Sequence, residues 1–211
     1  MFELIRAGGL MMLPILLCSV VLLAVIVERS WSLREKRVLP KGLTDQIWQR
    51  WRRGRCTEDD LTHYAQASPL GAVLAACVRH ADARDDRRAL IEETGRHVAH
   101  RLERYLNSVS VIAEIAPLLG LLGTVIGMIK VFLVITEAGA GDAAQLAGGI
   151  SEALISTASG LFVAIPAFIA YRSLRRRIDG LVVTMEAEAS RLLDAIDATP
   201  SQPESNKAGK A

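Results

Sequence analysis

The chain has 211 residues, of which 51% are apolar and only 5% aromatic, with a formal net charge of +2 and a mean hydropathy of +0.27. That balance describes a small helical membrane protein rather than a soluble enzyme or a nucleic-acid binder. Cys18, Cys56 and Cys77 have no metal-ligand spacing and read as isolated reduced thiols.

Residues 1–9 form a short N-terminal segment, of which 2–5 are expected on the outer membrane surface. Residues 10–27 follow as an 18-residue run without a charge, long enough for one crossing. One arginine offset by Glu3, and no small-x-small exit, argue for a retained helix rather than a cleaved signal. Residues 28–108 form a polar helical domain carrying 16 of the 25 Lys and Arg side chains. Within it, 45–53 with Trp48 and Trp51 reads as a helix, Thr57-Glu58-Asp59-Asp60 as a helix start with acids in its first turn, and Ser68-Pro69-Leu70-Gly71 as the opening of a short apolar helix. Ile91, Val98, Leu102, Tyr105 and Val109 recur at helical spacing, which predicts one unbroken rod running into the second crossing.

The second crossing spans 109–135, the loop 136–149 contains no Lys or Arg, and the third crossing spans 150–171. Arg172, Arg175, Arg176 and Arg177 then form a basic collar, followed by an amphipathic helix over 172–198 and a polar, disordered tail over 199–211. Basic residues concentrate in the first loop and after the third helix. The N-terminus and second loop are therefore expected outside, in the periplasm, with the large loop and C-terminus in the cytoplasm.

Ala116–Lys130 is apolar enough for lipid yet carries Gly120, Gly123 and Gly127, with Gly123-x-x-x-Gly127 a GxxxG pair of the kind that packs membrane helices. Gly160 plays the same part in the third crossing. Thr124 is the lone hydroxyl of the 116–130 run, and the third crossing carries Thr157 beside Ser156 and Ser159. Each threonine alone could equally back-bond to its own helix or glue two helices together. Set at one level, they place Lys130 six residues and Glu152 five residues further out, about 8–9 Å along each helix. The two charges are therefore expected to pair, because an unpaired charge in a membrane costs at least ~2.5 kcal/mol. Glu114 is assigned to an interface, so the chain is read as having no carboxylate at mid-depth. His63, His80, His97 and His100 all fall in the soluble segment. Neither a catalytic arrangement nor a metal or cofactor site is expected.

Residues 116–128, with GLLGTVIGM at their centre, and 149–171, GISEALISTASGLFVAIPAFIAY, resemble the MotA/TolQ/ExbB proton-channel family, its ExbB members most closely. The resemblance implies an all-α, three-span protein with long cytoplasmic helical extensions in a bacterial inner membrane. It further implies a homo-oligomeric ring, typically a pentamer, around an ExbD-like single-span partner whose membrane aspartate carries the proton. A TonB-like transducer would pass the work to outer-membrane uptake. By motif, Thr124 and Thr157 match the pore threonines and Glu152 the third-helix glutamate. The alternatives are TolQ-like service to envelope integrity and a non-conducting membrane scaffold.

Overall fold

A computed structural model describes residues 8–81, 87–138 and 143–199, and every regular element among them is an α-helix. The fold is all-α. The helices are α1 (Met12–Ser32), α2 (Glu35–Val38), α3 (Leu43–Arg52), α4 (Glu58–Ala67), α5 (Pro69–Arg79), α6 (Arg87–Glu103), α7 (Leu106–Ala138) and α8 (Ala143–Asp197). Three of them, α1, α7 through Thr136, and α8, are long and apolar enough to cross a membrane. The chain divides into two compact units.

The first unit comprises the stretch ending at Trp31 together with Glu103–Arg176. In α1 only Met12, Ile15, Leu22 and Arg29 are buried, a seam of nearly seven-residue period, while Leu13, Leu17 and Leu23 stand open. So narrow a seam suits a helix whose other faces meet lipid, since lipid solvates Leu as well as a protein core does. Ile15 and Leu22 join Val109, Ile112, Ala116, Val163, Ala164 and Ala167 in one apolar cluster. Arg29, buried at the end of α1, pairs with Glu28 at 2.7 Å and lies over the Tyr105 ring at 5.0 Å.

The second unit comprises Ser32–Leu102 and the chain from Arg177 on. Its short helices begin with local capping chemistry. Thr57 accepts a hydrogen bond from the Asp60 amide at 3.3 Å while its own amide donates to the Asp60 carboxylate, closing a capping box. The bonds from Thr57 hold the Asp60 carboxyl below its ordinary range. Ser68 accepts from Gly71 N at 3.0 Å ahead of Pro69, and Leu70–Val78 are buried residue for residue, as a helix apolar all round must be. Ile178, Leu181, Met185, Leu192 and Ile196 supply the buried stripe of α8 in this unit. Asp197 takes both Arg87 guanidinium nitrogens, at 2.8 and 2.6 Å.

Two expectations change here. The predicted rod into the second crossing is interrupted: α6 ends at Glu103, α7 begins at Leu106, and Tyr105 between them has φ +66°. That left-handed conformation costs a non-glycine residue about 1–3 kcal/mol. Two guanidiniums, Arg29 and Arg104 at 4.9 Å, lie on its ring and offset part of that cost. The predicted loop 136–149 is also largely helical, because α7 continues to Ala138 and α8 starts at Ala143. Ala, Gln and Leu at 143–147 favour helix and nothing there breaks it. The expectations for 2–5 and for the tail beyond 199 lie outside the described residues.

Candidate functional site

The first unit brings the singled-out glycines into one seam between the antiparallel α7 and α8. A Cβ added at Gly120 would stand 3.1 Å from the Thr157 Cα, and one at Gly160 only 2.6 Å from the Ala116 carbonyl oxygen. At Gly127 it would meet Ala153 at 2.8 Å. Backbones this close are what small residues permit, and the contact replaces a hydrophobic driving force that lipid does not provide. Gly123 faces something else: its added Cβ would fall 1.8 Å from the Ser156 hydroxyl oxygen, with Met11 on the other side at 3.5 Å. Ser156 is 1% exposed, and its hydroxyl has no hydrogen-bond partner among the described residues.

These contacts set the register, and the register moves the threonines. Thr157 sits opposite Gly120 and donates to its carbonyl at 3.2 Å, while Thr124 donates to Leu121 of its own helix at 2.6 Å. The two are therefore not at one level within this chain. Thr124 is a turn further along α7 than the residue Thr157 faces, about 6 Å. Both are half-buried, at one edge of the α7–α8 seam.

Lys130 Nζ and Glu152 Oε1 are 2.5 Å apart. Counting from one threonine level was off by about a turn, and the flexible lysine stem takes up the difference. Glu152 and Thr157 are five residues apart, about 140° around α8, and so lie on opposite edges of its packed face. The Glu152 edge is the one next to the start of α1. There Gly9, with φ +68°, lies so close that its Cβ would fall 1.8 Å from Glu152 Oε1, and a Cβ on Gly8 would meet Ile155 at 3.2 Å. Within this chain the two threonines and Glu152 thus fall on different edges of the α7–α8 face. The threonines share the open edge, and Glu152 is paired and covered at the other.

Comparison with known proteins decides what this bundle is. The model of the MotA/TolQ/ExbB proton channel family matches residues 65–187. The chain belongs to the MotA/TolQ/ExbB family. It is 33% identical over 172 residues to an ExbB-like biopolymer transport protein of Synechocystis, an alignment covering 79% of this chain and 67% of that one. Identity to the biopolymer transport protein ExbB of Neisseria gonorrhoeae is 33% over 147 residues, covering 70% of this chain and 59% of the relative. Identity to the Tol-Pal system protein TolQ of Haemophilus influenzae is 29% over 176 residues, 77% of each chain. The chain therefore spans less than two thirds of the Neisseria relative it matches.

For a multi-pass member of the MotA/TolQ/ExbB family, depth along the helices decides which polar groups meet lipid. Two contacts fix the scale, Arg29 of α1 against Tyr105 just before α7, and Met11 just before α1 against Gly123 of α7. Glu114 is nine residues from each end of that interval, level with Val20 and about 13 Å in from Arg29. The α7–α8 contact gives a similar answer. With Gly160 against Ala116, Glu114 is level with residue 162, ten residues or about 15 Å from Arg172. A hydrocarbon core of ~30 Å bounded at one side by the Arg29 and Arg172 levels would hold that position near its middle. Glu114, expected at an interface, thus lies between two and three turns inside the levels of Arg29 and Arg172.

By the same scale the Lys130–Glu152 pair lies at the far end of α7 from Arg29. Among the collar residues, Arg175 pairs with Glu103 at 3.1 Å, while Arg172, Arg176 and Arg177 are exposed. Sequence reasoning also passed over Gly9, and it gave Ser156 no part. The Gly8-Gly9 pair just before an apolar run was the available signal for the first. For Ser156 there was none, since its importance depends on which residue faces it.

Proposed function

We propose that this chain is the proton-channel subunit of an inner-membrane energy-transducing complex, working as ExbB-type proteins do in biopolymer transport. The observation that carries this reading is the hydroxyl-bearing edge of the glycine seam, where Thr157 bonds across to Gly120 and Thr124 stands one turn along. Hydroxyls in a close-packed seam can hand a proton on without burying a charge. In this reading copies of the chain form a ring, a homopentamer, that encloses two single-span, ExbD-like helices, each carrying a membrane aspartate. The N-terminus is periplasmic and the C-terminus cytoplasmic, as the distribution of basic residues favours.

Protons then run inward down the membrane potential, releasing ~2.3 kcal/mol per charge for each 100 mV. Neutralising the partner's aspartate changes which threonine it prefers, so the inner helices turn within the ring. A TonB-like transducer carries the work to outer-membrane receptors. Glu152, held by Lys130 at the outer end, shapes the entrance to the path.

The test is Thr124→Val with Thr157→Val in the complex formed with the co-expressed partner. The expected result is intact assembly with proton-driven uptake lost. Unchanged uptake would leave a non-conducting scaffold as the better description. Likeness to TolQ supports a second reading, service to envelope integrity. Detergent sensitivity on deletion, with uptake intact, would select it.

A further inference from the structure

We infer that Glu114 is a proton-carrying carboxylate of this chain's own, standing at mid-depth between the threonine edge and the cytoplasmic end of the path. This inference rests on the channel reading above.

Glu114 is exposed on α7, nine residues before Gly123 and so about 180° around the helix from the side that meets Met11 and Ser156. It points away from its own bundle. Its neighbours on that face, Leu118, Leu121, Val125 and Phe132, are exposed and apolar. No Lys or Arg pairs with it among the described residues, in contrast to Glu152 with Lys130. Its one hydrogen bond is accepted from Ser110 Oγ at 3.2 Å, one turn toward the cytoplasmic end. The nearest charged groups by register, Arg29 and Arg172, are about 13 and 15 Å away along the helices. A carboxylate at this depth without a cation is not stable against lipid. Its face therefore borders water or protein.

Polar groups then recur along the whole span. From the outer end they are the Lys130–Glu152 pair on one edge of the seam and then, on the other side, Thr124, Thr157 at the level of Gly120, Glu114 and Ser110. Successive levels are about 6–9 Å apart, gaps that short chains of water or a partner's side chain can bridge. Thr124 and Glu114 lie within about 80° of each other around α7, on the same side of the helix. In one passage the Glu114 carboxylate accepts a proton arriving from the threonine side and becomes the neutral acid. It then gives that proton up toward Ser110 and returns to the carboxylate, so no group is consumed.

The experiment uses the full chain in its complex, reconstituted in liposomes, with proton flux followed by an internal pH dye. Glu114→Gln should lower flux at least about tenfold with ring size unchanged, and Glu114→Asp should keep most of it. Wild-type flux in Glu114→Gln overturns the inference, whereas wild-type flux in Thr124→Val/Thr157→Val overturns the channel reading itself. Should Glu114→Gln fail to assemble, dicyclohexylcarbodiimide labelling of wild-type membranes decides. This reagent modifies protonated carboxyls in apolar surroundings. An adduct on Glu114 that forms more slowly as pH rises is expected, and no adduct there, with Glu152 labelled instead, overturns the inference.

Discussion

The hydroxyl of Ser156 occupies the space that Gly123 leaves by having no side chain: a Cβ there would stand 1.8 Å from the hydroxyl oxygen. Gly123→Ala should therefore destabilise the purified chain by about 1–3 kcal/mol through overpacking. Ser156→Ala removes the clashing oxygen and should recover part of the loss when combined with it. Thermal unfolding in detergent of the four combinations gives the coupling. Independent, additive effects would mean the two residues do not meet.

Lys130 and Glu152 make their pair between consecutive crossings. Lys130→Glu or Glu152→Lys alone sets two like charges 2.5 Å apart and should cost about 1–2 kcal/mol, given that the lysine is half exposed. The exchange of both residues should restore most of that. Melting curves of the two single variants and the exchange check it, and an exchange as unstable as its parents counts against the pair.

Gly9 combines φ +68° with a Cβ position on top of the Glu152 carboxylate. Any L side chain is disfavoured twice there, by backbone and by contact. Gly9→Ala is expected to cost at least about 1 kcal/mol and to expose Glu152. Water-soluble carbodiimide should then modify Glu152 faster than in the wild type, with mass spectrometry reading the site.

Burial pushes the Cys77 thiol from 9.0 up to about 12. The neutral thiol is favoured in the fold, so its contribution to stability is complete below pH 9 and falls as pH rises from there toward 12. Unfolding temperature should drop between pH 8 and pH 10.5, and less so in Cys77→Ala relative to its own value at pH 8. Native Cys77 should also resist alkylation at pH 8 until the chain is denatured. Equal alkylation of folded and unfolded chain would contradict this.

The pattern of apolar runs and glycines carried most of the fold, because a bilayer demands length and a close helix contact demands small residues. Capping at Thr57 and Ser68 was equally legible, being decided within three residues. Register was not. Whether Thr157 faces Gly120 or Thr124 depends on how two helices slide, and a string records no sliding. Tyr105 was missed because its left-handed turn uses neither Gly nor Pro, and because one of the two guanidiniums on its ring comes from Arg29, far off in sequence. The level of Glu114 was not legible either, because a charge ends an apolar run on paper, whereas in the bundle its level follows from which residues of α1 and α8 lie beside it.

The glycine seam has one more consequence. Gly120, Gly123, Gly127 and Gly160 have no rotamers to lose, so α7 and α8 come together at almost no side-chain entropy. The opposite faces, rich in Leu, Val and Phe, keep their conformational freedom for whatever covers them. Between α7 and α8 the close contact thus runs along one line, and the surfaces left to meet lipid, copies of the chain or a partner are the adaptable ones.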